Sequence, residues 1–123
     1  MENANKKILI IESDSNDQNS MRDILARVGH RNILSASTGK EGVELTEFEK
    51  PDIIITALVL PDYTGFEVCK RIRALAGEAI KIILITGKLN VVEPEWIGNT
   101  QADVFITKSA DYETLVQAIS KLL

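Results

Sequence analysis

Five positions carry the groups that decide what chemistry this chain can do: Glu12, Ser13, Ala57, Thr86 and Lys108. Each closes or follows a short apolar run. A carboxylate and two hydroxyls are hard oxygen donors, and an ammonium balances negative charge. Mg²⁺, however, wants an octahedral oxygen shell, usually with carboxylates beside phosphate and water. The methyl group of Ala57 can neither ligate a metal nor act as a nucleophile. No nucleophile–base pair is visible, so an enzyme finds no support. The stretch Glu12-Ser13-Asp14-Ser15-Asn16-Asp17 is acidic and has no glycine. That disfavours an anionic cofactor held at a helix N-terminus. The one histidine, His30, has no Cys or His cluster around it and reads as a surface turn residue rather than a metal ligand.

The elements that must position these groups are legible in the patterning. Ile8–Ile11, Ile53–Ile55 and Ile82–Ile85 are β-branched, nearly continuous and do not alternate. This is the signature of strands buried on both faces of a parallel sheet. Two weaker strands are expected at Ile33–Ser37 and Val104–Thr107. Between them, Asn16–Val28 places Met21, Ile24, Leu25 and Val28 on one helical stripe, with Asp14 or Ser15 as cap and Gly29 as terminator. Gly39–Phe48 shows Val43, Leu45 and Phe48, with Pro51 just beyond. Phe66–Ala76 buries Phe66, Cys69, Ile72 and Leu75, with Gly77 as terminator, and Cys69 reads as a small core hydrophobe. Asp111–Leu123 shows Leu115, Val116, Ile119 and Leu122, with Asp111 as cap. Leu89–Gln101 is the least regular segment, because Pro94 and Gly98 interrupt it.

Strands alternating with helices imply right-handed crossovers and helices on both faces. The expected product is an α/β, flavodoxin-like (βα)5 three-layer sandwich with a five-stranded parallel sheet. Its site should lie outside the carboxyl ends of the strands. There Glu12, Ser13, Ala57, Thr86 and Lys108 should converge on one small cleft.

The bulk numbers agree with a single domain over 1–123, with a core from about residue 7. The chain has 123 residues, 45% hydrophobic and 26% charged, and carries a net charge of −4. There is no basic run, so direct nucleic-acid binding is disfavoured. One cysteine rules out an internal disulfide, and no apolar stretch approaches the ~20 residues of a membrane span. A cytoplasmic location is expected, with no membrane attachment.

The segment Pro51-Asp52-Ile53-Ile54-Ile55-Thr56-Ala57-Leu58-Val59-Leu60-Pro61-Asp62-Tyr63-Thr64-Gly65 resembles the central strand and loop of a response-regulator receiver domain of the CheY type. The resemblance extends over nearly the whole chain, from about Lys7 to Leu123. It implies a signalling module of a two-component phosphorelay. In ordinary receivers the first strand ends in an acidic pair that holds Mg²⁺ and the third in the aspartate that accepts the phosphoryl group. The fourth ends in Thr or Ser, the fifth in a lysine, and a switch aromatic precedes that lysine. Glu12, Thr86, Gly87, Phe105 and Lys108 match; Pro61, Asp62 and Gly65 match the loop. Ser13 stands where the second metal-ligating acid belongs, Ala57 stands at the acceptor, and Ser109 replaces the usual proline.

Two of three expected carboxylates are therefore missing, and Mg²⁺ binding is expected to be lost, leaving no cofactor. Lys108 then needs another counter-charge, for which Glu12 is the candidate. The expectation is a pseudo-receiver acting as a protein-interaction module. The alternative is a conventional phosphoacceptor seen with Ala57 substituted, or one using a non-standard acceptor. Asp62 is a poor substitute because it lies past the strand end. The resemblance implies a partner face built from the fourth helical segment, fifth strand and last helix, around Trp96 and Phe105, and a homodimer across that face is left open. Trp96 covering the core edge is the plainer alternative.

Overall fold

Strand β1 (Lys7–Ile11), β2 (Asn32–Ala36), β3 (Ile53–Ala57), β4 (Lys81–Thr86) and β5 (Val104–Thr107) form one sheet in the order β2-β1-β3-β4-β5. All neighbours pair in parallel, with Ile8 opposite both Ile33 and Ile53, and Ala57 opposite Ile85. The computed structural model describes residues 5–87, 101–108 and 112–123. Among them the helices are α1 (Ser15–Arg27), α2 (Gly39–Glu49), α3 (Gly65–Ala76) and α4 (Glu113–Leu122). This is the flavodoxin-like α/β architecture expected from the patterning.

The apolar runs are continuous because both sheet faces are covered. Leu9, Ile11, Ile54, Ile82 and Leu84 point to one side and pack with Val68, Cys69 and Ile72 of α3. Their strand neighbours Ile8, Ile10, Ile53, Ile55, Ile83 and Ile85 point to the other, against Met21 and Leu25 of α1 and Leu115 and Ile119 of α4. Successive residues on a strand face opposite ways, so no position on these strands could be polar without facing a helix.

Helices α1, α2 and α3 start on side-chain caps. Asp14 Oδ1 accepts from the Asp17 amide at 2.9 Å, Thr38 Oγ1 from Glu41 and Thr64 Oγ1 from Glu67, the last two at 3.1 Å. Each satisfies one of the orphan N–H groups of a first helical turn. Gly29 takes φ 104 after α1, and Gly77 takes φ 59 after α3, the positive values a side chain disfavours.

Three apolar residues assigned to buried stripes face solvent instead. Val28 is 48% exposed, Phe48 78% and Leu75 50%. Val28 is already the C-cap of α1 and has left the helical stripe. The buried side of α2 is Gly39, Gly42 and Thr46 rather than its larger residues. A Cβ on Gly42 would collide with the Ile11 side chain, so α2 lies close on the sheet through its small residues. Phe48, two positions past Thr46, is turned about 200° around the helix from it. Strand β2 ends at Ala36 rather than Ser37, α2 runs one residue beyond Phe48, and Tyr112 is the N-cap of α4. The cap expected at Asp111 lies outside the described residues, as does Leu89–Gln101 up to its final residue.

Candidate functional site

The carboxyl ends of β1, β3, β4 and β5 open on one cleft of about 300 Å³, lined by Glu12, Ala57, Leu58, Val59, Ile85, Thr86, Gly87 and Lys108. The backbone sets the register at this end. Glu12 donates its N–H to the Ala36 carbonyl at 3.0 Å, Leu58 to Ile85 at 2.9 Å, and Lys108 to Thr86 at 2.9 Å. Four of the five residues expected to converge therefore share a cavity wall. Ser13 is the exception: it is exposed at the start of the loop and does not line the cleft.

The chemistry of the cleft is set by Lys108. Its Nζ lies 2.9 Å from Glu12 Oε1, whose side chain is 4% exposed, and 2.7 Å from Asp17 Oδ2. Burial alone would depress the lysine, but the hydrogen bonds it donates to Asp17 and Glu12 and their negative charges outweigh it and hold Lys108 above its ordinary value. Glu12 Oε2 accepts from the Asp14 amide at 3.2 Å, so both carboxylate oxygens are engaged. Lys108 is thus a satisfied cation in a cleft whose other walls are a methyl, a threonine and aliphatic side chains.

Asp17 was missed in the sequence because it sits one helical turn away from the strand ends, where an acidic residue reads as a first-turn dipole partner. Its three-residue spacing from the cap Asp14 marks the helix start but carries no signal that the side chain reaches Lys108. Tyr112 was missed for a similar reason. Its hydroxyl donates to Asp17 Oδ1 at 3.3 Å. Burial and the adjacent Asp17 charge raise the phenol, against a smaller opposing pull from Lys108.

The loop after β3 is fixed at two residues, Gly65 and Asp62. Gly65 donates to the Leu58 carbonyl at 2.7 Å, and a Cβ there would collide with Leu84 and with the Ala57 carbonyl oxygen. Asp62 accepts from the Gly39 and Lys40 amides, both at 2.8 Å, and from Tyr63 at 2.9 Å. Slight burial raises its carboxyl, but the backbone donors of Lys40, Gly39 and Tyr63 pull it below the usual carboxylate value. Asp62 thereby clamps the start of α2 and does not line the cleft.

Residues 8–120 match the family model described as the response regulator receiver domain. The chain belongs to that family. It is the receiver domain of a two-component response regulator, a signalling module of a kind that works by meeting partner proteins. It is similar to the protein PilH of Pseudomonas aeruginosa, 30% identical over 118 residues, covering 95% of this chain and 97% of that protein. It is 31% identical to the transcriptional regulatory protein AfsQ1 of Streptomyces coelicolor, covering 94% of this chain but 50% of that protein. Among solved structures, TrrA from Thermotoga maritima in complex with Mg²⁺-BeF superposes with a TM-score of 0.82 at 28% identity, covering 96% of this chain and 99% of that one. The chemotaxis response regulator CheY4 of Vibrio cholerae gives 0.84 at 21% identity, covering 96% and 98%, a likeness of fold alone.

Within the receiver frame, Phe105 is half-buried on β5 and its ring lies 6.2 Å from that of Phe66, tilted by 35°. It is therefore packed over the sheet toward α3. Trp96, the other residue assigned to the partner face, lies outside the described residues, as does Ser109. Among the described residues, no helix is long and apolar enough to cross a membrane.

Proposed function

We propose that this receiver domain signals without accepting a phosphoryl group, as a protein-interaction module whose state is set by the partner bound to it. The observation that carries the reading is Ala57. It is 4% exposed at the end of β3, on the wall of the cleft that Thr86 and Lys108 share. Phosphoryl transfer depends on a positioned nucleophile and on neutralising the charge of the transferred group. Here the position of the nucleophile holds a methyl group, and the ammonium is already neutralised by Glu12 and Asp17.

The donor set also supports loss of Mg²⁺ binding. The two nearby carboxylates are both spent on Lys108, Ser13 is exposed, and Ala57 offers no oxygen. Among the described residues no three Asp, Glu, His or Cys side chains gather as a metal would need. Partner binding is assigned to the face that includes Phe105, Trp96 and α4, with a second copy of the chain as one partner to test. The net charge of −4 argues against direct contact with nucleic acid.

Incubation with acetyl phosphate and Mg²⁺ tests the reading by intact-protein mass. The expected outcome is an unmodified chain. An acid-stable, base-labile phosphoryl adduct would contradict it. The intact Thr86–Gly87–Lys108 side of the cleft favours one second reading, an ordinary receiver in which Ala57 replaces the acceptor. Its mark is recovery of phosphorylation by Ala57→Asp alone, whereas the proposed reading expects that Ser13→Asp is needed as well.

A further inference from the structure

Asp17 makes two contacts that its place in a helix first turn does not require. Its Oδ2 holds Lys108 Nζ at 2.7 Å, 91 residues away in sequence. Its Oδ1 takes the Tyr112 hydroxyl at 3.3 Å, 95 residues away. A first-turn acid serving only the helix dipole points to solvent and touches nothing distant. The two oxygens of Asp17 instead join the cleft to the entrance of α4.

Tyr112 is held in an unfavourable backbone. It is the N-cap of α4 with φ 56 and ψ 26, and its side chain makes no capping bond. A left-handed conformation disfavours any residue with a Cβ. Tyr112 compensates by burying its ring in the core on the α1 side of the sheet and by donating its hydroxyl to Asp17. The start of α4 thus depends on a carboxylate that also sets the position of Lys108.

We propose that Asp17 is the positioning residue of this cleft, supplying from α1 the counter-charge that a methyl at position 57 cannot, and coupling Lys108 to the start of α4. The inference rests on the reading that Ala57 leaves Lys108 without an acceptor carboxylate. Two carboxylates around one ammonium leave the cleft with net negative charge, which repels a phosphoryl group. The same arrangement fixes the entrance of the helix that borders the partner face. A change at Lys108 should therefore reach α4 through Asp17, with no phosphate involved.

Residue-resolved NMR titrations of Lys108 Nζ and Tyr112 Cζ test this, in the native chain, in Asp17→Asn and in Asp23→Asn. Asp23 is exposed on the same helix, so its variant makes the same charge change without the contacts. Asp17→Asn should lower both titration midpoints and shift the amides of Leu115 to Ile119, and Asp23→Asn should move none of these. Unchanged midpoints in Asp17→Asn, or equal changes in the two variants, would overturn the proposal. If Asp17→Asn does not fold, Lys108→Met reads the same coupling. It should shift the amides of Leu115 to Ile119, an effect that Tyr112→Phe, which lacks the hydroxyl bonded to Asp17, should remove; unshifted amides in Lys108→Met would overturn the proposal. The outcome is independent of the phosphodonor experiment. A phosphorylated native chain would refute the phosphate-free reading whatever Tyr112 does, and silent titrations would refute the role of Asp17 in a chain that is never phosphorylated.

Discussion

Lys108 and Glu12 are 96 residues apart in sequence and 2.9 Å apart in space, with the glutamate buried at the end of β1. Removing one member of a buried pair strands the other charge, at roughly 3–5 kcal/mol when both are fully enclosed. Lys108 is 23% exposed and Asp17 shares it, so Lys108→Met should cost less, about 1–3 kcal/mol. A urea titration at neutral pH checks this, and an unchanged midpoint would mean that water already screens the pair.

Ala57→Asp should destabilise the chain in the absence of Mg²⁺. The new carboxylate would enter a cleft that already holds Glu12 and Asp17 around one ammonium, and like charges disfavour each other's ionised form. A loss of about 1–2 kcal/mol is expected from denaturant melts. Greater stability than the native chain, without metal, would show that Lys108 still lacks counter-charge.

The pH dependence has a definite sign at both ends. Lys108 is raised in the folded state, so its contribution is complete below its unfolded value of 10.5 and is lost as pH climbs through the higher folded value. Tyr112 is raised as well and acts in the same direction. Asp62 is lowered, so its contribution is present above its unfolded value of 3.8 and is lost as pH falls through the lower folded value. Thermal melts should therefore show a shallower alkaline decline in Asp17→Asn and a shallower acid decline in Asp62→Asn. Slopes equal to the native chain would remove these groups from the account.

Asp62→Ala should also free the first turn of α2. It removes the acceptor of the Gly39 and Lys40 amides, a loss comparable to that of a helix cap at about 1 kcal/mol. Faster hydrogen exchange at those two amides, with the cleft residues unchanged, is the expected observation.

The sheet was legible because burial on both faces leaves little freedom of residue type. The β-branched run Ile53 to Ile55 just after Pro51 reads as a buried strand, and the order of strands and helices places Glu12, Ala57, Thr86 and Lys108 at one end. Helix faces were less legible where small residues do the packing. Gly42 against Ile11 carries no hydrophobic signal, so Phe48 drew the buried assignment that belonged to Thr46. The site was half legible for the same kind of reason. Strand-end residues are fixed by topology, whereas Asp17 reaches Lys108, and Tyr112 reaches Asp17, from helix entrances through side-chain direction, which spacing along the chain does not encode. Ser13 shows the converse, since it adjoins Glu12 in sequence yet turns to solvent.

The most direct test of a phosphate-free receiver is an amide NMR titration with Mg²⁺ followed by beryllofluoride, which imitates a phosphoryl group on an aspartate. The account predicts no saturable shifts at Glu12, Ala57, Thr86 and Lys108. Saturable shifts confined to those residues would mean that the cleft still binds a metal or an anion, and would contradict it.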